Sequence, residues 1–253
     1  MSELAGPRLD LLTIFPELVA PFLEGSLLGT ARRAGTLDIR VTDIRDFATD
    51  RHRSVDDAPY GGGDGMVMRC EPVVAAIEAV AGPGAVVLAL SPRGRVLDQD
   101  RVVELAAERQ VVLLCGRYAG FDERILAETG AEELSIGDYV LAGGELAALV
   151  VTEAIARLVP GVLGNPDSPL RDSFASRDSW GGILEHPAYT RPPVFRNRAV
   201  PEVLLSGNHK AIERFRRRDA LRLTAQRRPD LIERAKLDEE DRRVLQEIYD
   251  ATD

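Results

Sequence analysis

Short apolar runs alternate with amphipathic segments through the first two thirds of the chain. The runs RLDLLTIF, LDIRVTDI, AVVLAL and VVLLC are rich in leucine and β-branched residues, which is typical of β strands. Helical patterns separate or follow them in residues 17–28, 72–80 and 144–159, and a further helix is expected to begin at an Asp98 N-cap. Strands that alternate with helices predict an α/β fold with a mainly parallel sheet covered on both faces.

The pattern changes after residue 163. Residues 164–182 are rich in proline, serine and glycine and have little periodicity, which predicts a flexible linker. An extended, proline-rich stretch, HPAYTRPPVF, then precedes two helical stretches at residues 209–223 and 238–251. We therefore expect an α/β domain of residues 1–163, the linker, and a small, mostly helical C-terminal domain of residues 183–253.

Composition narrows the class of protein. The chain has 253 residues, 45% hydrophobic and 29% charged, which is ordinary for a globular protein with a sizeable core. No apolar run approaches the ~20 residues of a membrane span, and the N-terminus MSELAGPRLD lacks a signal-peptide core, so we expect a cytoplasmic protein. Two cysteines and three histidines argue against a disulfide framework or a structural zinc site. Cys115, at the end of VVLLC, is expected in the core.

Charge is distributed unevenly along the chain. The net charge is −9, yet residues 208–228 contain eight basic and two acidic side chains. Such a basic face is suited to phosphate even on an acidic protein, although a solvated helix face has the same composition. The candidate RNA-binding side chains in this segment are His209, Lys210, Arg214, Arg217 and Arg218.

The glycine-rich stretch PYGGGDGMVM, residues 59–68, has the GxGxG spacing of some nucleotide-binding loops. A dinucleotide fingerprint requires a strand before the glycines and a helix directly after them. The polar stretch RHRSVDDA precedes these glycines, and no long helix opens at once behind them. A mobile substrate loop is therefore the favoured interpretation, and a nucleotide-binding enzyme is the alternative.

Three other glycine-bearing loops each follow an apolar strand. They are LALSPRG, LLCGRYAGFDER and LSIGDYVLAGGE, at residues 88–94, 113–124 and 134–145. Ligands of parallel sheets bind at the carboxyl ends of the strands, and glycine lets a ligand approach the backbone closely. The loops are therefore predicted to converge on one binding site.

These segments resemble those of a known family. TIFP, DDAPYGGGDGMVM, LSPRG, CGRYAGFDER, SIGDYVLAGGE, RLVPGVLGN, DSF, HPAYTRP, VPEVLLSGNH and RRPDL occur in the same order in the bacterial tRNA (guanine-N1)-methyltransferases, which are knotted SPOUT methyltransferases. The resemblance covers nearly the whole chain and implies that the three loops form a deep trefoil knot that binds S-adenosylmethionine. By position in the motifs, the implied cofactor-binding residues are Leu90, Ser91, Pro92, Gly94, Gly116, Tyr118, Ile136, Gly137, Asp138, Tyr139, Val140, Leu141, Gly143 and Gly144.

The resemblance also implies a reaction, methylation of N1 of the guanosine immediately 3′ of the tRNA anticodon. Guanine N1 carries a proton at neutral pH, so a general base is needed, and a cation near O6 would stabilise the charge that develops there. The matching residues are Asp172 as the base and Arg157 as the cation. Without the resemblance, Asp172 would be interpreted as a solvated loop acid, and Arg157 as the partner of Glu153 on a helix. The family further implies a homodimer with the active site between subunits, and a possible Mg²⁺ requirement whose ligands no carboxylate cluster identifies.

One departure from the family pattern concerns the cofactor loops. The family usually reads GRYEG where this chain reads GRYAG, so Ala119 stands in place of a glutamate. Loss of a charged hydrogen-bonding group removes roughly 1.5–3 kcal/mol of interaction. A tRNA-binding homologue with weakened catalysis is therefore an alternative function.

Overall fold

The computed structural model describes residues 6–175 and 179–250. The chain divides into two compact units, the N-terminal unit of residues 1–166 and the C-terminal unit of residues 167–253. The described strands of the N-terminal unit are β1 (Arg8–Thr13), β2 (Ile39–Asp43), β3 (Asp56–Asp57), β4 (Val67–Met68), β5 (Val86–Val96), β6 (Gln110–Cys115) and β7 (Glu132–Ser135). Its helices are α1 (Pro16–Glu24), α2 (Ser26–Arg33), α3 (Cys70–Val80), α4 (Gln99–Ala106), α5 (Glu123–Thr129) and α6 (Glu145–Ala156).

A five-stranded parallel sheet forms the centre of the N-terminal unit. Its strand order is β2-β1-β6-β5-β7, and every neighbouring pair is parallel. All residues of the central strand β6 are buried, and its side chains alternate between two cores. Leu113 belongs to the core that includes residues of α1, α2, α4 and α6, whereas Leu114 belongs to the core on the opposite face, which includes residues of α3 and α5. The prediction of a parallel α/β sheet covered on both faces is confirmed, and Cys115 is fully buried as expected.

Of two helix predictions, one is confirmed and the other is wrong. The Asp98 carboxylate accepts a hydrogen bond from the backbone N–H of Arg101 at 2.8 Å, so the predicted N-cap of α4 is confirmed. The single helix predicted for residues 17–28 is instead two helices, α1 and α2. Gly25 lies between them with an extended backbone (φ −90°, ψ 166°), which interrupts the helical hydrogen bonds.

The C-terminal unit is mostly helical. Its described elements are β8 (Val194–Phe195), β9 (Arg198–Ala199), α7 (Glu202–Leu205), α8 (His209–Arg227), α9 (Pro229–Arg234) and α10 (Glu239–Asp250). Strand β8 ends the stretch HPAYTRPPVF that the sequence predicts as extended, and it forms a hairpin with β9, which follows that stretch. Helices α8 and α10 correspond to the two predicted helices and pack around a small core of Ile183, Ala220, Leu221, Leu245 and Ile248.

Candidate functional site

A cavity of about 360 Å³ lies at the carboxyl edge of the sheet, where β6 and β7 end and where the pairing of β5 with β7 is interrupted between Leu90 and Arg95. The loop predicted at residues 88–94 therefore lies within β5, which continues to Val96. The three glycine-bearing loops line it together, as their positions in the sequence predict. Of the residues that the resemblance implies, those that line the cavity are Leu90, Ser91, Pro92, Gly116, Tyr118, Ile136, Gly137, Tyr139, Val140, Leu141, Gly143 and Gly144. Gly94 and Asp138 are not part of the lining.

The loop between β7 and α6 presents apolar side chains to solvent. Val140 is 85% exposed, Tyr139 is 55% exposed and Leu141 is 38% exposed, although all three line the cavity. A cluster of exposed apolar side chains around a concave site is typical of a ligand-binding surface. The Ser135 hydroxyl fixes the start of this loop, because it lies 3.1 Å from both the backbone nitrogen and the backbone oxygen of Gly137.

Two of the loop glycines let other parts of the protein backbone, rather than a ligand, approach closely. A Cβ atom on Gly144 would lie 2.9 Å from the Cys115 Cα atom, and one on Gly94 would lie 2.3 Å from the Glu133 backbone. The first contact brings the start of α6 against the end of β6, and the second brings β5 against β7. Gly94 therefore acts in packing the sheet, which explains its absence from the cavity wall.

A buried ion pair, which the sequence analysis missed, connects two of these loops. Glu145, only 3% exposed, begins α6 and accepts a hydrogen bond from the Thr13 hydroxyl at 2.8 Å. Arg117 Nε lies 2.9 Å from Glu145 Oε2 and 3.1 Å from Oε1, and the Arg117 guanidinium lies 4.6 Å from the centre of the Phe15 ring. A carboxylate in the first turn of a helix is also stabilised by the helix dipole. The three side chains thus join the end of β1 to both cavity loops.

The loop after β6 is held in an unusual backbone conformation. Tyr118 lines the cavity with φ at +58°, a region that non-glycine residues rarely adopt and that clusters at functional sites. The next residue, Ala119, is exposed and donates its backbone N–H to the Met66 carbonyl at 2.8 Å. Met68 also donates to the Gly120 carbonyl at 2.9 Å. The end of the glycine-rich segment is therefore attached to the cavity wall next to Ala119.

The two residues implied as catalytic lie in different units. Arg157 follows the last turn of α6 in the N-terminal unit and is exposed. Asp172 lies in the C-terminal unit, two residues after the 3₁₀ turn Ser168–Leu170, and is half-buried. Its backbone carbonyl accepts a hydrogen bond from the Ala175 N–H at 3.1 Å. Their catalytic roles stay predictions.

The candidate RNA-binding residues on α8 fall into two groups. Arg217 forms a two-pronged ion pair with Asp241 of α10 at 2.8 and 2.6 Å and also donates to the Trp180 carbonyl at 2.7 Å. Arg214 and Arg218 lie 4.0 and 3.6 Å from Glu240 and Glu247 of the same helix. Arg217 therefore has a buried partner, whereas the pairs of Arg214 and Arg218 are long and solvent-exposed. Lys210 and His209, by contrast, are exposed in the first turn of α8.

The part of the chain that the structure describes contains neither a metal-binding cluster nor a membrane-spanning helix. No group of three or more His, Cys, Asp or Glu side chains there is arranged to hold a metal ion. No described helix is both long enough and apolar enough to span a membrane.

A parallel α/β sheet with a loop-lined cavity at its carboxyl edge defines a ligand-binding α/β protein. Residues 7–234 match the family tRNA (guanine-1)-methyltransferase TrmD, so the chain belongs to that family. A relative from Anaeromyxobacter sp. (strain Fw109-5) is 56% identical over 240 residues, which cover 94% of this chain and 95% of the relative. Another from Geobacter metallireducens is 54% identical over 243 residues, covering 95% and 97%, and one from Moorella thermoacetica is 49% identical over 245 residues, covering 95% and 96%. All three relatives are named tRNA (guanine-N(1)-)-methyltransferase.

Proposed function

We propose that this protein transfers a methyl group from S-adenosylmethionine to N1 of the guanosine immediately 3′ of the anticodon in tRNA, in the cytoplasm. The observation that carries the proposal is the cavity that the three glycine-bearing loops line at the carboxyl edge of the sheet. Family membership and the names of the relatives support the tRNA guanine as the methyl acceptor.

The cavity is chemically suited to S-adenosylmethionine. Exposed apolar side chains at Tyr139, Val140 and Leu141 offer contacts for an adenine ring. Backbone groups of the loops, such as those of Gly143, are available to hydrogen-bond the adenine and ribose. The loops would form the deep trefoil knot that the family resemblance implies, and a knotted arrangement would fix the cavity walls before the ligand binds.

Methyl transfer requires guanine N1 to lose its proton. In the proposed reaction, the Asp172 carboxylate accepts the N1 proton as the N1 lone pair attacks the methyl carbon, and the carbon–sulfur bond electrons stay on sulfur. Bound S-adenosylmethionine supplies an electrophilic methyl group through its sulfonium. The Arg157 guanidinium stabilises the negative charge that develops on guanine O6. The products are N1-methylguanosine, S-adenosylhomocysteine and a proton on Asp172.

No step of this proposal passes through a metal ion. Among the described residues, no group of three or more His, Cys, Asp or Glu side chains is arranged to hold a metal ion. Mg²⁺ is commonly held by one or two carboxylates together with phosphates and water, so a magnesium ion in this reaction would share its ligands between protein, RNA and solvent.

The active unit in this proposal is a homodimer. The family resemblance implies that the segment carrying Asp172 from one subunit reaches the cofactor loops of the other, and two-fold dimers are the commonest soluble oligomers. Mixing Asp172→Asn protein with a protein substituted in the cofactor loops tests this arrangement. Mixed dimers should regain activity because one of their sites is intact, and demonstrably mixed dimers without activity would contradict the shared site.

The proposed function is tested with an unmodified tRNA transcript and S-adenosylmethionine. Mass spectrometry of nuclease fragments should find one added methyl group, and reverse transcriptase should stop at the guanosine 3′ of the anticodon, because N1 methylation blocks base pairing. A methyl group elsewhere, or none, would contradict the proposal.

Ala119 favours weakened catalysis as the second candidate function. It is exposed on the cavity wall, where a longer acidic side chain would reach into the cavity. If the glutamate that the family usually has at this position contributes its carboxylate to the reaction, Ala119→Glu should raise the rate of methyl transfer. The expected increase is about 10- to 150-fold, the equivalent of one charged hydrogen bond. Ala119→Gln serves as the uncharged control. Equal rates for all three proteins would mean that this chain does not need the carboxylate.

A further inference from the structure

The hairpin of β8 and β9 carries a second concentration of positive charge, outside the segment that the sequence analysis singled out. Residues 186–200 contain three arginines and no acidic residue. A cavity of about 530 Å³ lies at the base of the hairpin, and its lining includes Pro193 and Val200, which flank the two strands, together with Tyr189, Arg191 and Arg216. We define the hairpin surface as Tyr189, Arg191, Phe195, Arg196, Arg198 and Arg216.

The arginines of the hairpin surface differ from those that face α10. Arg191, Arg196, Arg198 and Arg216 are all exposed, and none forms an ion pair with an acidic residue of ranges 6–175 and 179–250. Arg191 and Arg216 line one cavity, and Arg196 and Arg198 lie on the hairpin next to it. Exposed cations without internal partners favour an anionic partner. Since the polyanion that the proposed function supplies is RNA, phosphate is the natural counterion.

Two aromatic rings lie among these arginines. Phe195 is 62% exposed and Tyr189 is 48% exposed, which leaves ring faces open to solvent. The Arg196 guanidinium lies 5.3 Å from the centre of the Phe195 ring. Aromatic rings interleaved with arginines are typical of surfaces that bind single-stranded nucleic acid, where bases stack on the rings and phosphates contact the cations. A base-paired helix hides its base faces and could use the arginines alone.

Arg196 has a strained backbone conformation at the tip of the hairpin. Arg196 and Asn197 are the two central turn residues, with φ at +45° and +65°, the signs that a type I′ turn requires. Glycine adopts such angles freely, whereas arginine does so at a cost. A residue that strains its own turn while presenting a charge to solvent indicates selection for binding rather than for folding.

We infer that the hairpin surface binds unpaired nucleotides of the RNA substrate, with bases stacked on Phe195 and Tyr189 and phosphates held by the four arginines. The inference rests on the proposed function for the identity of the anion. It gives the C-terminal unit a loop-recognition surface that is separate from the α10-facing side of α8.

The experiment measures binding of the full-length protein to a fluorescein-labelled, unmodified tRNA transcript by anisotropy, as a function of salt. Phe195→Ala should weaken binding by about 5- to 150-fold, the effect of losing one stacked base. Arg196→Gly should reduce the slope of log affinity against log salt by about 0.7, one phosphate contact, without lowering the melting temperature. An unlabelled single-stranded RNA of the anticodon-loop sequence should compete better than a duplex of equal length.

Arg40→Gln is the control, because this arginine is exposed but donates two hydrogen bonds to the Asp38 carboxylate, so its loss should leave the salt slope nearly unchanged. Unchanged affinity in both Phe195→Ala and Arg196→Gly would overturn the inference, as would equal competition by the duplex. Dissociation of an oligomer on ultracentrifugation, with RNA affinity intact, would instead identify a protein–protein contact. Wild-type protein that binds RNA but transfers no methyl group would contradict the proposed function alone.

Discussion

Arginine has opposite roles in two regions of the molecule. The regions are the glycine-bearing loops that line the cavity of the N-terminal unit and the hairpin surface of the C-terminal unit. At the cofactor loops, Arg117 is neutralised by the buried Glu145 carboxylate and packs on the Phe15 ring. At the hairpin surface, Arg191 and Arg198 are exposed and lack ion-pair partners in the described parts of the chain. An arginine with an internal partner braces the fold, whereas an arginine without one is available to a ligand. The same distinction separates Arg217 of α8, which pairs with Asp241, from the exposed Arg216 beside it.

The largest expected effect is on the rate of methyl transfer, and the structures of both regions should stay intact. Asp172→Asn removes the proposed proton acceptor, so the single-turnover rate should fall by ~10²–10⁴. Cofactor affinity and tRNA affinity, measured separately, should change little because the amide keeps the size of the side chain. Asp167→Asn, on the same segment, is the control. A wild-type single-turnover rate in Asp172→Asn would remove this residue from the mechanism.

The next prediction concerns the ion pair of Glu145 and Arg117, which connects two of the cavity loops. Glu145→Ala leaves Arg117 without its partner in a largely buried position, which should lower the free energy of unfolding by about 3–5 kcal/mol. Glu145→Gln keeps a hydrogen-bond acceptor for the Thr13 hydroxyl and should cost less. Denaturant unfolding gives the stabilities, and calorimetry gives S-adenosylmethionine affinity, which should weaken in the same order as the cavity loops lose their attachment. Affinity that stays at the wild-type level in a destabilised Glu145→Ala protein would separate this pair from the cofactor site.

The smallest expected effects compare two arginines on one side of α8. Arg217→Gln should destabilise the protein because Asp241, only 5% exposed, loses its two-pronged partner. Its hydrogen bond to the Trp180 carbonyl is lost as well. Arg214→Gln should cost less than ~1 kcal/mol because its pair with Glu240 is exposed and long, at 4.0 Å. Equal unfolding midpoints for the two variants would contradict the division into bracing and exposed pairs.

The sequence predicted the parallel sheet, the Asp98 cap and the convergence of the three loops, because each depends on residues that are close in sequence or on strand ends. The resemblance implied Gly94 as a cofactor-binding residue, but this glycine lies outside the cavity lining and packs against the Glu133 backbone, a contact that arises from strand pairing. The pairing of Arg217 with Asp241, which lies 24 residues away, was also beyond a local pattern. A run of basic residues shows where charge is plentiful, but only tertiary packing decides which charges are neutralised.

The hairpin illustrates a second limit. Sequence patterns for two-residue hairpins depend on glycine in the turn, and the tip here is Arg196-Asn197. The extended character of HPAYTRPPVF was recognised, but the turn that folds it back was not. The exposed aromatic rings and unpaired arginines therefore became visible as one surface only in the structure.

Hydrogen exchange measured by mass spectrometry tests the contrast between the two regions most directly. Adding S-adenosylmethionine alone should slow exchange of backbone amides in residues 116–121 and 136–144 and leave residues 188–199 unchanged. Adding unmodified tRNA to that complex should then slow exchange in residues 188–199. Protection of the hairpin by the cofactor alone, or exchange there that RNA leaves unaltered, would contradict the assignment of one region to the cofactor and the other to RNA.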